Sequence, residues 1–161
     1  MRMLAFNEGV YNTLKWLHVM AAIVWVGSGL FVQYYTSRLR RADEWQRLGA
    51  FARDLEKASS QLFIPASGIV LLTGIAMVAY SPAVGIREAW VWLGLVGYGA
   101  TFVTGALFIG PTAVKLGKMV EAEGPDAAGV RPLMARIFAI SRVDQVVLFL
   151  VVADMVFKPG R

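Results

Sequence analysis

The stretch LKWLHVMAAIVWVGSGLFVQYY, running from Leu14 to Tyr35, decides the fold. A helix needs roughly 20 apolar residues to span about 30 Å of hydrocarbon, and this segment is long and apolar enough to do so. It also holds His18, the only histidine in the chain. Three further segments read in the same way. LFIPASGIVLLTGIAMVAY covers Leu62 to Tyr80 and AWVWLGLVGYGATFVTGALFI covers Ala89 to Ile109. VDQVVLFLVVADMVF, from Val143 to Phe157, is short and is extended backwards through RPLMARIFAIS. The expected spans are therefore about 14–35, 62–80, 89–109 and 140–157, within a single transmembrane domain over residues 1–161.

Composition agrees. The 161 residues are 57% hydrophobic and only 17% charged, whereas a soluble domain carries nearer a quarter. The net charge of +5 does not mark a nucleic-acid binder, because its basic residues are dispersed between apolar blocks. They read instead as topology signals. Arg38, Arg40, Arg41, Arg47, Arg53 and Lys57 lie in the first long connection, with Lys115, Lys118, Arg131, Arg136 and Arg142 in the second. Arg2, Lys15, Arg87, Lys158 and Arg161 fall on the opposite side, five against eleven. The positive-inside rule then puts both connections in the cytoplasm and both termini outside. The first apolar run lacks the short core and cleavage site of a signal peptide, so it is expected to stay as a span. Absence of cysteine excludes disulfides and thiolate chemistry.

The connections are expected to be helical. In ADEWQRLGAFARDLEKASSQLF, Trp45, Leu48, Phe51 and Leu55 recur at helical spacing, making an amphipathic extension on the cytoplasmic side. GPTAVKLGKMVEAEG extends the third span similarly, and EGPDAAGVRP is a turn. The short outer loop SPAVGIRE favours the second and third spans as antiparallel neighbours. LFIPA at Leu62 and LFIGP at Leu107 echo each other over five residues, too few to establish a repeat.

Polar groups inside a membrane are costly, and each is a candidate site. His18 shares a helical stripe with Ala22, Trp25 and Gly29, small residues and one flat indole that admit either a neighbouring helix or a planar ligand. A neutral imidazole offers one lone pair, as a metal or haem iron requires. The alternative is a hydrogen bond across a helix interface. Asp154 is expected in the same outer half, where it either fixes the His18 tautomer or pairs with Lys158 at i+4. Asp144 is read as an ion-pair partner of Arg142 and Arg136. Met20, Met77 and Met155 offer soft thioethers for copper(I). Gly97, Thr101 and Gly105, like TGI at Thr73 to Ile75, suit close helix packing.

LKWLHVMAAIVWVGSGLF, FIPASGIVLLTGIAMV, GALFIGP and ISRVDQVVLFLVVADMVFKPG together resemble a family of four-span bacterial membrane proteins classed as a domain of unknown function. More distantly, LHVMAAIVWVGSG is similar to the opening of the HemJ-type protoporphyrinogen oxidases and the CopD-type copper-resistance membrane proteins. The HemJ resemblance implies haem b held by a first-span histidine, and only His18 carries over. The histidine and lysine of that family's third span have no counterpart in EAWVWLGLVGYG. The expected reading is an all-α four-helix bundle in the bacterial inner (cytoplasmic) membrane. It binds haem b or a porphyrin through His18, with Trp25, Gly29 and Asp154 around it and a redox or haem-handling role. Bis-histidine ligation would need a homodimer. The alternatives are an accessory or structural subunit of a larger membrane complex, and a copper or small-molecule transporter.

Overall fold

The computed structural model describes residues 7–160, leaving aside the side chains of Arg53 and Glu56. Arg2, Arg53 and Arg161 of the charge count therefore lie outside what is described. The chain is all helix apart from short connections. Helix α1, Glu8–Arg41, starts at Asn7, whose side chain accepts from the backbone N–H groups of Gly9 and Val10. Glu8 in its first turn and Arg38, Arg40 and Arg41 in its last complement the helix dipole. At 34 residues it is about 51 Å long, so its basic end projects well beyond a hydrocarbon layer of about 30 Å.

Two longer rods follow. Helix α2, Trp45–Ala58, passes through a π-helical turn, Ser59–Phe63, into α3, Ile64–Tyr80. Helix α4, Ala89–Val103, passes through a second π turn, Thr104–Ile109, into α5, Gly110–Glu123. The cause of both turns is a proline just beyond them. Pro65 and Pro111 lack an N–H and crowd the carbonyl four residues back, so the ladder ahead widens by one residue. Accordingly the Ile64 N–H donates to Ser59 O and the Gly110 N–H to Gly105 O. The LFIPA and LFIGP echo thus marks the same device at the basic end of two spans. Helix α6, Val130–Phe157, is unbroken and ends at Lys158 in a left-handed conformation, φ 47°.

The helices associate as pairs: α1 along α3, α4 along α6, and α2 against α5. Contact between α1 and α6 joins the two membrane pairs. It is made where Gln33 Nε2 donates to Ser141 O at 2.8 Å and where the Gln145 side chain fills the space over Gly29. Helices α3 and α4 do not pack along each other, contrary to the expectation from their short loop. The loop fixes only the ends that it joins, and Tyr98 bridges the separation further along, its OH donating to Ser67 O.

The tightest packing lies at the basic end. Leu39, Leu48, Ala52, Leu116, Val130, Met134 and Phe138 form a buried cluster contributed by α1, α2, α5 and α6. Gly49 of α2 admits Val120 of α5, since a Cβ there would overlap it. The membrane segments instead turn large apolar side chains outward: Leu72, Val96 and Leu150 are 69%, 67% and 63% exposed. Helices Glu8–Arg41, Ser59–Tyr80 and Ala89–Glu123 are each long and apolar enough to cross a membrane. Helix α6 carries Arg142, Asp144 and Asp154 along its apolar run and packs against α4. The architecture is that of an all-α membrane bundle with a helical cap.

Candidate functional site

His18 faces α3. Its Nδ1 lies 3.1 Å from Thr73 Oγ1, and the Thr73 hydroxyl donates back to its own helix, to Ile69 O at 2.5 Å and to Val70 O at 3.3 Å. The threonine oxygen is then the acceptor, so Nδ1–H is the donor and Nε2 keeps its lone pair. Gly74 forms the floor: a Cβ there would stand 3.2 Å from His18 Cε1. The ring is thereby held in position and orientation by two adjacent residues, Thr73 and Gly74. Sequence reasoning noticed TGI only as a packing element; its polar threonine within an apolar run was the available signal.

Trp25 and Gly29 lie two and three turns deeper, but protein side chains cover them. The Trp25 ring meets Tyr98 at 5.4 Å in a T-shaped contact, and Tyr98 OH donates to Ser67 O at 3.3 Å. A Cβ on Gly29 would come within 2.6 Å of Gln145 Oε1. The slot expected between the indole and Gly29 is therefore filled by Tyr98 and Gln145, neither of which the sequence reading had placed there.

Asp154 meets α4 rather than His18. Both of its carboxylate oxygens are buried with no hydrogen-bond partner among the described residues, as is Gln145 Nε2. Oδ2 lies 3.6 Å from where a Gly94 Cβ would be. Depth is shared nonetheless. The antiparallel register that sets Gly29 against Gln145 and Gln33 against Ser141 places Asp154 level with Met20, within one turn of His18. The i,i+4 ion pair with Lys158 is not formed. The helix ends at Lys158, whose backbone N–H caps Asp154 O at 2.8 Å while its Nζ sits 5.2 Å from the Trp90 ring centre.

Asp144 also differs from its expected role. It makes no ion pair among the described residues, and Arg142 lies instead over Phe138, 5.9 Å from the ring centre. Asp144 lines a cavity of about 360 Å³ between α4 and α6, remote from His18. For copper the arrangement offers little. Among the described residues no three His, Asp or Glu side chains cluster as a metal site. Met20 is 44% exposed on the lipid side, and Met155 packs on Gly94.

The family model described as "Predicted integral membrane protein (DUF2269)" matches residues 12–159, and the chain belongs to that family. No curated protein and no solved structure matches it, so no HemJ-type or CopD-type relative enters by that route.

Proposed function

We propose that this integral membrane protein binds haem b, or a related porphyrin, through Nε2 of His18 in the outer half of the bundle. One observation carries the reading: His18 Nδ1 lies 3.1 Å from a Thr73 hydroxyl that also reaches carbonyls of its own helix, an arrangement that favours Nδ1–H as the donor and leaves Nε2 with the lone pair. A hydrogen bond to the distal ring nitrogen is the usual support for a metal-ligating histidine, fixing its tautomer and raising its basicity. The donor set fits one axial position, with Thr73 and Gly74 as its support. The surrounding slot does not fit as the sequence drew it, because Trp25 and Gly29 are covered. A bound haem would supply one-electron redox chemistry. The chain's own contribution is to orient the imidazole, through Thr73 and Gly74. Since His18 is the sole histidine, a second imidazole ligand would come from another copy of the chain. On the reading of a bacterial cytoplasmic membrane, the distribution of basic residues puts this site near its outer face.

A second reading has its own support. His18 to Thr73, Gln33 to Ser141 and Tyr98 to Ser67 each join two different helices. Such contacts are the glue of membrane bundles. On this reading the chain is a non-enzymatic accessory subunit whose histidine joins α1 to α3. The visible spectrum of protein purified in mild detergent, with and without added haem, separates the two. A Soret band that His18→Ala removes supports haem binding. A colourless protein that ignores haem rules it out, and a co-purifying membrane partner would then favour the accessory role.

A further inference from the structure

The cavity between α4 and α6 is separate from the histidine and has its own chemistry. Its walls are mostly apolar, from Ala100, Ala139, Ile140, Val143 and Val147, with Thr101, Thr104 and the carboxylate of Asp144 as the polar elements. At about 360 Å³ it falls in the size range of small-molecule sites. It opens sideways: Val143 on its rim is 66% exposed among lipid-facing residues. Along the α1–α6 register Asp144 lies level with Leu30, eight residues inside Arg38, or about 12 Å from the basic boundary. The π turn of the third span begins at Thr104, on the wall opposite.

A carboxylate at that depth is expensive unless a cation meets it. The neighbouring cations do not. Arg142 lies over Phe138, and no ion pair forms between Asp144 and Arg136. Both threonine hydroxyl protons are committed to their own helix, Thr101 to Tyr98 O and Thr104 to Ala100 O, so their oxygens are left as acceptors. The groove therefore presents only acceptors, set in apolar walls and open to lipid. That is the complement of an ammonium group carrying a hydrocarbon tail. We propose that the α4–α6 groove binds long-chain amines dissolved in the cytoplasmic leaflet, with Asp144 taking the ammonium and the walls the first part of the chain. This inference stands apart from the haem reading and survives its failure.

The test uses the full chain in phosphatidylcholine nanodiscs with a photoreactive hexadecylamine whose chain carries a diazirine. The matching hexadecanol derivative serves as the neutral control. Crosslinks from the amine are expected to concentrate on Ala139, Val143 and Val147. Asp144→Asn is expected to lower them about tenfold, the equivalent of roughly 1.4 kcal/mol, while leaving alcohol labelling unchanged. Ala139→Leu, at an exposed position where folding is not at risk, is expected to reduce amine labelling by filling the groove. Equal labelling by amine and alcohol, labelling spread evenly over all lipid-facing helices, or indifference to Asp144→Asn would each overturn the proposal.

Discussion

The cap and the membrane half are built from the same helices but held together differently. In the cap, Leu48, Leu116 and Val130 are each 1% exposed, around a core that four helices share. Cation–π contacts from Arg40 and Arg131 to Phe138 and Trp45 close its surface. Water drives that cluster together, as in a soluble domain. In the membrane half the apolar side chains face outward, because lipid tails solvate leucine as well as a protein core does. What joins the helices there is close approach at Gly29, Gly94 and Gly97, together with a few polar contacts. Apolar burial thus holds the basic end. The opposite half, where His18 and Asp154 lie, is left to specific polar geometry, so polar groups there are available to do more than pack.

Substitutions can break this contrast. Leu48→Ala should cost the most, about 2–5 kcal/mol, since it opens a cavity in a water-excluding core. The control Leu72→Ala, at a lipid-exposed position, should cost much less, and denaturant unfolding in detergent would measure both. Comparable losses would mean that the two halves are not held differently. Gly49→Ala should follow at about 1–3 kcal/mol, because its Cβ would press into Val120 between α2 and α5. Thr73→Val removes the acceptor of His18 and should cost about 0.6 kcal/mol, the average for membrane interhelical hydrogen bonds, and no more than about 1.7 kcal/mol. The same variant should weaken any haem spectrum more than its stability loss accounts for, which a purely structural histidine would not do. The smallest effect is expected from Lys158→Gly, a gain of up to about 1 kcal/mol from relief of the left-handed backbone. Loss of the contact with Trp90 offsets part of that gain.

Hydropathy and charge made the helices and the amphipathic extensions legible, because both follow from solvent and need no partner. The stripe Trp45, Leu48, Phe51 and Leu55 marked the face of α2, and Leu48 is indeed buried. Its partner α5 was not legible, since a stripe states what is hidden but not by what. The site was legible only at His18. Thr73, Tyr98 and Gln145 join it or cover its neighbours from helices 50 to 120 residues away, and no local pattern links them. Two errors were local. Asp154 and Lys158 have the spacing of an ion pair only if the helix continues through both, and it stops at Lys158. Asp144 and Arg142 are neighbours in sequence but point to different faces, and Arg142 reaches Phe138 four residues back.

A chain with one histidine permits an unusually direct check of the site. In protein labelled with ¹⁵N-histidine and held in lipid nanodiscs at neutral pH, every imidazole signal belongs to His18. The structure predicts a protonated, pyrrole-type Nδ1 and an unprotonated, pyridine-type Nε2, with Thr73→Val disturbing that assignment. The opposite tautomer, or a ring protonated on both nitrogens, would contradict it and remove the lone pair on which the haem reading depends.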